Sequence, residues 1–504
     1  MKSIKIKNLR CIKDTSEIPL KNLTVLLGQN SSGKSTFLRL FPLLKQSVET
    51  RTSGPILWFD DYYADFGDFN SAVRKNEKEI SFQFELKILK TQATEVNLIE
   101  DTVFIINLFM KSSNENKTYI SKLNISFFDQ KIEISFNHEK ILTEFLINEK
   151  NLTKKLGIRK GVLKTGILPH LIFISKNNLF SKDELSIHNE LYNFLKKKLR
   201  TNTSDNTINK IINNLGLGSD ETFLKKLISN ASYLKTWKNE LKNWDFINQD
   251  FKNFKNLTIA NSFFALLRML DNYLISSISN FYYMKPIRAV AKRSYRRQDL
   301  AVSEVDPKGA NLAMFIDNLS QKKKKEFQNW IKNTFDFYPH IKRSGIHVEL
   351  RLIDVKTGND FNIADRGFGF SQILPIITQL WSVIYKNRKQ KQQYNIPIIL
   401  AIEQPELHLH PALQSQLIDC FIETIKLARK KGIELKLIIE THSQTIVNRI
   451  GHRIANKNLS EKDVSVVLFE FNENKEYSSV RLSNYNKQGF LEKWPFGFFN
   501  PKEI

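Results

Sequence analysis

The chain has 504 residues and a mass of 58.8 kDa, long enough to bury a large core and to form two domains or more. Its formal net charge of +24 and pI of about 9.6 point to a polyanionic partner, nucleic acid or an acidic protein surface, unless the excess is only solvated surface charge. Two cysteines exclude a disulfide framework and fit a reducing cytoplasm; the opening residues lack the apolar core of a signal peptide, and no stretch approaches the roughly 18 apolar residues of a membrane span.

The first elements are short strands. Residues 3–6 alternate, and residues 23–27 form an apolar run that leads directly into Gly28. Gly28 through Thr36 reads Gly-Gln-Asn-Ser-Ser-Gly-Lys-Ser-Thr, a full match to G-x-x-x-x-G-K-[ST], between a strand and a helix expected over 34–48. Glycines let a backbone wrap phosphates, and the helix start presents free N–H groups of Asn30, Ser31, Ser32, Gly33 and Thr36 to them. In such a loop Lys34 reaches the β- and γ-phosphates of ATP, and the Ser35 hydroxyl binds Mg²⁺.

Residues 80–87, 103–109, 119–127 and 131–136 alternate β-branched and aromatic residues with polar ones and predict a meander of strands. From 181 to 280 the pattern is helical and basic, with Phe223, Leu227, Leu234 and Trp237 spaced by threes and fours. Residues 201–218, rich in Asn and Thr, read as a flexible loop. No heptads are sustained, which argues against a long coiled-coil arm.

A second core is expected from Phe281. Arg288, Lys292, Arg293, Arg296 and Arg297 follow without an acid, dense enough to hold phosphates of ATP or of a nucleic-acid backbone, or else a solvated loop. Gly367, Gly369, Ser371 and Gln372 precede an apolar helix that begins near Ile373; alone, this is an ordinary serine N-cap after a glycine loop. Residues 398–402 form an apolar run that ends in Glu403-Gln404-Pro405-Glu406, as a buried parallel strand would deliver acids into a crevice. Glu403 is then placed to hold Mg²⁺. Gln404 can orient a water but cannot accept its proton; Glu406 is the nearest alternative base, or equally an acid at a helix start. His408 and His410 lack the spacing of a zinc site, and Pro411 at a first helical turn explains them better. Residues 435–439 form another apolar run, ending in Glu440-Thr441-His442-Ser443.

The P-loop, Gly369/Ser371/Gln372, the Glu403 strand end and His442 occur in the order of an ABC-type ATPase head, and the chain resembles the RecF/SMC-like members of that family. The resemblance covers residues 1–75 and 281–504. It implies an α/β fold, a P-loop sheet of mixed and parallel strands with a lateral β-sheet, carrying a mainly helical insertion. The implied domains are an N-terminal lobe at 1–150, a basic insertion at 151–280 and a C-terminal lobe at 281–504. It further implies that Gly369, Ser371 and Gln372 cap the γ-phosphate of ATP on a partner copy, that Arg288 and His442 contact the nucleotide, and that Gln404 occupies the place of the usual catalytic acid. Among these ATPases the Glu403–Pro411 sequence and the tail Trp494-Pro495-Phe496-Gly497-Phe498-Phe499 are similar to the PtuA-type subunits of Septu and retron-associated anti-phage systems. That likeness implies a homodimer or higher assembly with a separate HNH nuclease, the ATPase subunit of the PARIS system being a near neighbour, and Gln404 in place of the acid predicts slow ATP hydrolysis. The residues after His442 are too few for a TOPRIM nuclease domain, so no nuclease of its own is expected. A RecF-like DNA-repair ATPase, a transporter nucleotide-binding subunit and a scaffold that binds ATP without turnover are the alternatives.

Overall fold

The computed structural model describes the chain apart from residues 157–158, 163–165, 174–183, 201, 232–233, 298–301, 303, 366, 386–395, 473–475 and 493–504; the aromatic tail therefore lies outside the described residues. Two compact units are formed, one of Met1–Arg10, Leu44–Phe59 and Asp65–Ser279, the other of Cys11–Leu43, Asp60–Ala64 and Asn280–Ile504.

The second unit contains the P-loop. Four of its strands, Leu23–Gly28, Leu435–Glu440, Ile398–Glu403 and Phe281–Met284, are buried at every residue. A strand buried on both faces has no solvent side to alternate with, which is why these segments read as apolar runs. Val464–Asn472, Leu23–Gly28, Leu435–Glu440, Ile398–Glu403 and Phe281–Met284 lie side by side and parallel. Tyr477–Ser483 adds an antiparallel strand against Val464–Asn472, so the sheet is mixed. Parallel neighbours need a crossover, and the Pro411–Lys430 helix supplies the one between Ile398–Glu403 and Leu435–Glu440. The register sets Glu403 opposite Glu440, and Glu440 opposite Leu26, so all three strands end along one edge. That edge is where open α/β sheets bind ligands.

The helix expected over 34–48 is two, Lys34–Leu38 and Leu40–Glu49. Pro42 explains the break: it has no N–H for the Leu38 carbonyl, and its ring crowds that same group.

Asp419 ties Pro411–Lys430 to the Gln444–Ala455 helix. It accepts from Arg449 Nε at 3.0 Å and from Arg453 Nε at 2.6 Å. Burial alone would raise its pKa, but the two guanidinium groups outweigh burial and hold the carboxyl below the usual range. A depressed native pKa contributes stability above the unfolded value, near 3.8, that is lost as pH falls through the native one. Asp419→Asn is therefore expected to cost about 2 kcal/mol in urea melts at pH 7. The difference from wild type should shrink below pH 3.8.

In the first unit an antiparallel sheet runs in the order Ser3–Leu9, Ile80–Ile88, Thr102–Ser112, Thr118–Phe127, Gln130–Phe136, Leu142–Ile147 and Lys150–Asn151. Burial alternates along Ile80–Ile88 and Thr102–Ser112, the period that made these strands readable. The helices Glu184–Lys198, Asp205–Asn213, Asp220–Asn230, Lys235–Lys242 and Gln249–Ser279 lie around a core that includes Leu195, Phe223, Trp237, Trp244 and Phe254.

Residues 201–218 are not simply a loop, because Asp205–Asn213 is a helix capped by Ser204, with Ile208, Ile211 and Ile212 buried. Three isoleucines at helical spacing outweigh the Asn and Thr between them, since burying each is worth about 2 kcal/mol. Among the described residues no helix is long and apolar enough to cross a membrane.

Candidate nucleotide-binding site

The P-loop turns off the Leu23–Gly28 strand through Ser31 at φ 61° and Gly33 at φ 95°. At Gly28 a Cβ would stand 2.4 Å from the Phe469 carbonyl oxygen, so only glycine fits there. Gly33 is the N-cap of Lys34–Leu38 and provides no side-chain cap, so the first backbone N–H groups remain open to an anion. Asn30 and Ser31 are exposed, whereas Ser32, Gly33, Lys34 and Thr36 are buried.

Lys34 folds back on the loop. Its ammonium donates to the carbonyls of Gly28 at 3.0 Å and Gln29 at 2.7 Å, and burial lowers its pKa against the opposing pull of Glu440 and Glu406. The Ser35 hydroxyl donates to Glu440 Oε1 at 2.7 Å. Glu403 takes a different partner: its oxygens accept from Arg39 Nε at 2.6 Å and Nη2 at 3.0 Å. Tyr283 is buried against this pair, and burial, then the Glu403 charge, push its phenol well above its ordinary pKa. Glu440 is pushed up to about 7, first by burial and then by the charge of Glu403.

Beyond the strand end, Gln404 sits at φ 41°, a conformation few non-glycine residues adopt, and donates its N–H to the Glu440 carbonyl at 2.9 Å. Glu406 precedes the helix rather than starting it. Pro411 opens that helix with His410 as N-cap, which leaves Glu406 in the turn. Its Oε1 accepts the His442 backbone N–H at 2.7 Å, and burial raises its pKa. His442 is half-buried, and its pKa is lowered by burial and by the charge of Lys34.

Arg288 is not on a solvated loop: it is only 2% exposed. Its Nη2 donates to the Glu403 carbonyl at 3.0 Å, and among the described residues Nε and Nη1 have no partner. Its backbone N–H reaches Gln372 Oε1 at 3.4 Å. The neighbouring Arg293 is exposed and paired with Asp365 at 2.6 Å.

The helix that carries the glycine–serine motif begins at Phe368, earlier than the expected start near Ile373, so Gly369, Ser371 and Gln372 are inside its first turns. Ser371 and Gln372 are buried, and a Cβ on Gly369 would touch the His408 carbonyl oxygen at 3.4 Å. The P-loop, Glu403, Glu406, His442 and Arg288 thus meet at one sheet edge, and Gln372 joins them through Arg288.

Glu440, Arg39 and Tyr283 were not singled out from the sequence. Glu440 carried a readable signal, an acid closing a buried apolar run, the same one that marks Glu403. Arg39 carried none, being one basic residue in the turn between Lys34–Leu38 and Leu40–Glu49.

An uncapped helix start, a loop closed to any Cβ at Gly28, a buried ammonium and a hydroxyl beside buried carboxylates fit the phosphates and divalent cation of a nucleotide. Among solved structures, an SMC head bound to the C-winged helix domain of ScpA matches with a TM-score of 0.36 and 10% identity, covering 96% of this chain and 98% of that one. The SMC head domain from Thermotoga maritima matches with a TM-score of 0.35 and 8% identity, covering 95% and 97%. No curated protein matches. The sequence profile described as an AAA ATPase domain matches residues 1–447, and by that match the chain belongs to the AAA ATPase domain family.

Proposed function

We propose that the chain is an ATP-binding, ABC-type ATPase that dimerises around ATP and controls a separate effector nuclease in anti-phage defence, hydrolysing ATP slowly. The observation that carries the nucleotide part is the convergence of Lys34, Ser35, Glu403, Glu406 and His442 on one sheet edge beside an uncapped helix start. Lys34 would leave its loop carbonyls for the β- and γ-phosphates, while Ser35 and Glu403 would hold Mg²⁺. When bound, Mg²⁺ would supply neutralisation of the phosphate charge.

Slow turnover follows from Gln404. Its carboxamide orients a water but takes no proton, so that task falls to Glu406, whose raised pKa makes it a better proton acceptor than an exposed carboxylate. Dimerisation and the HNH nuclease partner rest on the sequence resemblance. In that reading, the start of the Phe368–Tyr385 helix, with Gly369 and Ser371, faces ATP on the second copy. The state of the nucleotide then sets the dimer geometry that restrains or releases the effector.

Steady-state turnover of the purified protein is expected below about one ATP per second, at the low end of enzyme rates. Tens per second would overturn the slow-hydrolysis reading. Co-purification with an HNH protein encoded beside it would support the effector role. The net charge of +24 favours one second reading, a RecF-like ATPase that binds DNA directly. Salt-dependent duplex binding without any partner protein would decide for it.

A further inference from the structure

Glu440 has no task in the reading above, yet it is the carboxylate that touches the P-loop. It ends the strand between the P-loop strand and the Glu403 strand and is 1% exposed. Oε1 accepts the Ser35 hydroxyl at 2.7 Å, and Oε2 has no partner among the described residues. One hydroxyl bond is worth roughly 1–3 kcal/mol, less than the several kcal/mol that burying a carboxylate costs, so helix anchoring alone does not account for this residue. A neutral acceptor would anchor Ser35 as well and would leave no buried oxygen unpaired. The Glu403–Glu440 register makes matters worse, setting two acids side by side at the ends of neighbouring strands. Arg39 is the counter-charge of Glu403, and a divalent cation would supply one to Glu440.

The hydroxyl of Ser35 has one proton and two lone pairs. With its proton committed to Glu440, both lone pairs are free for a cation. Outer carboxylates orient metal ligands in this way generally. We propose that Glu440 is a positioning residue of the Mg²⁺ site, fixing the Ser35 hydroxyl as a ligand through Oε1 and taking a water of the ion's hydration shell on Oε2. The inference rests on the ATP-binding reading and gives the site an acid that neither the P-loop pattern nor the Glu403 strand end includes.

The test is equilibrium binding of a fluorescent ATP analogue to wild type, Glu440→Gln and Glu440→Ala, in EDTA and across a Mg²⁺ titration. Glu440→Ala is expected to need ten- to hundredfold more Mg²⁺ to reach half of the metal-induced gain in affinity, the usual effect of losing an outer-shell partner. Its affinity in EDTA should equal or exceed that of wild type, because a negative charge has left the phosphate site. Glu440→Gln keeps an acceptor for Ser35 and the shape of the side chain, so it should fall between the two, and it decides the matter if the alanine variant does not fold. A Mg²⁺ midpoint within threefold of wild type overturns the proposal, as does an equal loss in EDTA and in Mg²⁺, which marks a structural role. If wild type binds ATP in a Mg²⁺-dependent way and the variants follow it, only this inference fails. If wild type binds no ATP, the parent reading fails with it.

Discussion

Lys34→Ala is expected to weaken ATP binding at least about a hundredfold, while changing unfolding free energy by less than about 1 kcal/mol. Lys34 is 3% exposed, and its ammonium is held by two carbonyls of its own loop. A charge-assisted bond to phosphate contributes roughly 1.5–3 kcal/mol, and every 1.4 kcal/mol is a tenfold change, so losing two such bonds, one to each phosphate, gives the predicted effect. The small stability change has a separate origin. Burial lowers the pKa of this lysine, so the fold holds the cation at some cost, which offsets the two hydrogen bonds lost with it. Lys34→Met retains the apolar stem and should match the alanine variant in affinity. A fluorescent ATP titration beside urea melts checks both statements. Affinity within threefold of wild type would show that the lysine does not leave Gly28 and Gln29 for a phosphate.

Legibility in the sequence followed how local the physics was. The P-loop was readable because its requirements, glycine where Phe469 approaches and an uncapped helix start, act within nine consecutive residues. Ile80–Ile88 and its neighbours were readable because a half-buried strand writes its period directly into the chain. The Asp205–Asn213 helix was missed when composition was weighed over spacing: Ile208, Ile211 and Ile212 were visible among the Asn and Thr. The solvated-loop alternative for Arg288 fails for a different reason. Five cations in ten residues read as one surface, but tertiary structure buries Arg288 beneath the Glu403 carbonyl and leaves Arg293 outside with Asp365. Long-range pairings left no trace at all. Ser35 with Glu440 and Arg39 with Glu403 join residues hundreds of positions apart, and only the parallel register of the strands brings them together.

The Arg39–Glu403 pair carries the second large expectation. Arg39→Ala should destabilise the protein by about 2–3 kcal/mol, because it leaves a carboxylate that is 2% exposed without its bidentate partner. The value sits below the usual range for a fully buried pair, since the Arg39 side chain is 35% exposed and water screens part of the interaction. Glu403→Gln should cost less, about 1 kcal/mol, because an amide needs no counter-charge. The double variant should then fall short of the sum by about 1–2 kcal/mol, as residues in one ion pair do. The same pair has a consequence for the metal. With both Glu403 oxygens engaged by Arg39, Mg²⁺ must compete for that carboxylate, whereas Glu440 already has an oxygen to offer. Arg39→Ala should therefore lower the Mg²⁺ concentration needed for tight ATP binding by severalfold, opposite in sign to Glu440→Ala, while the protein becomes less stable. Urea melts of the four-member cycle and Mg²⁺ titrations of nucleotide binding measure the two effects separately. Coupling below about 0.3 kcal/mol, the ordinary error of additivity, would mean that Arg39 does not hold Glu403 in solution.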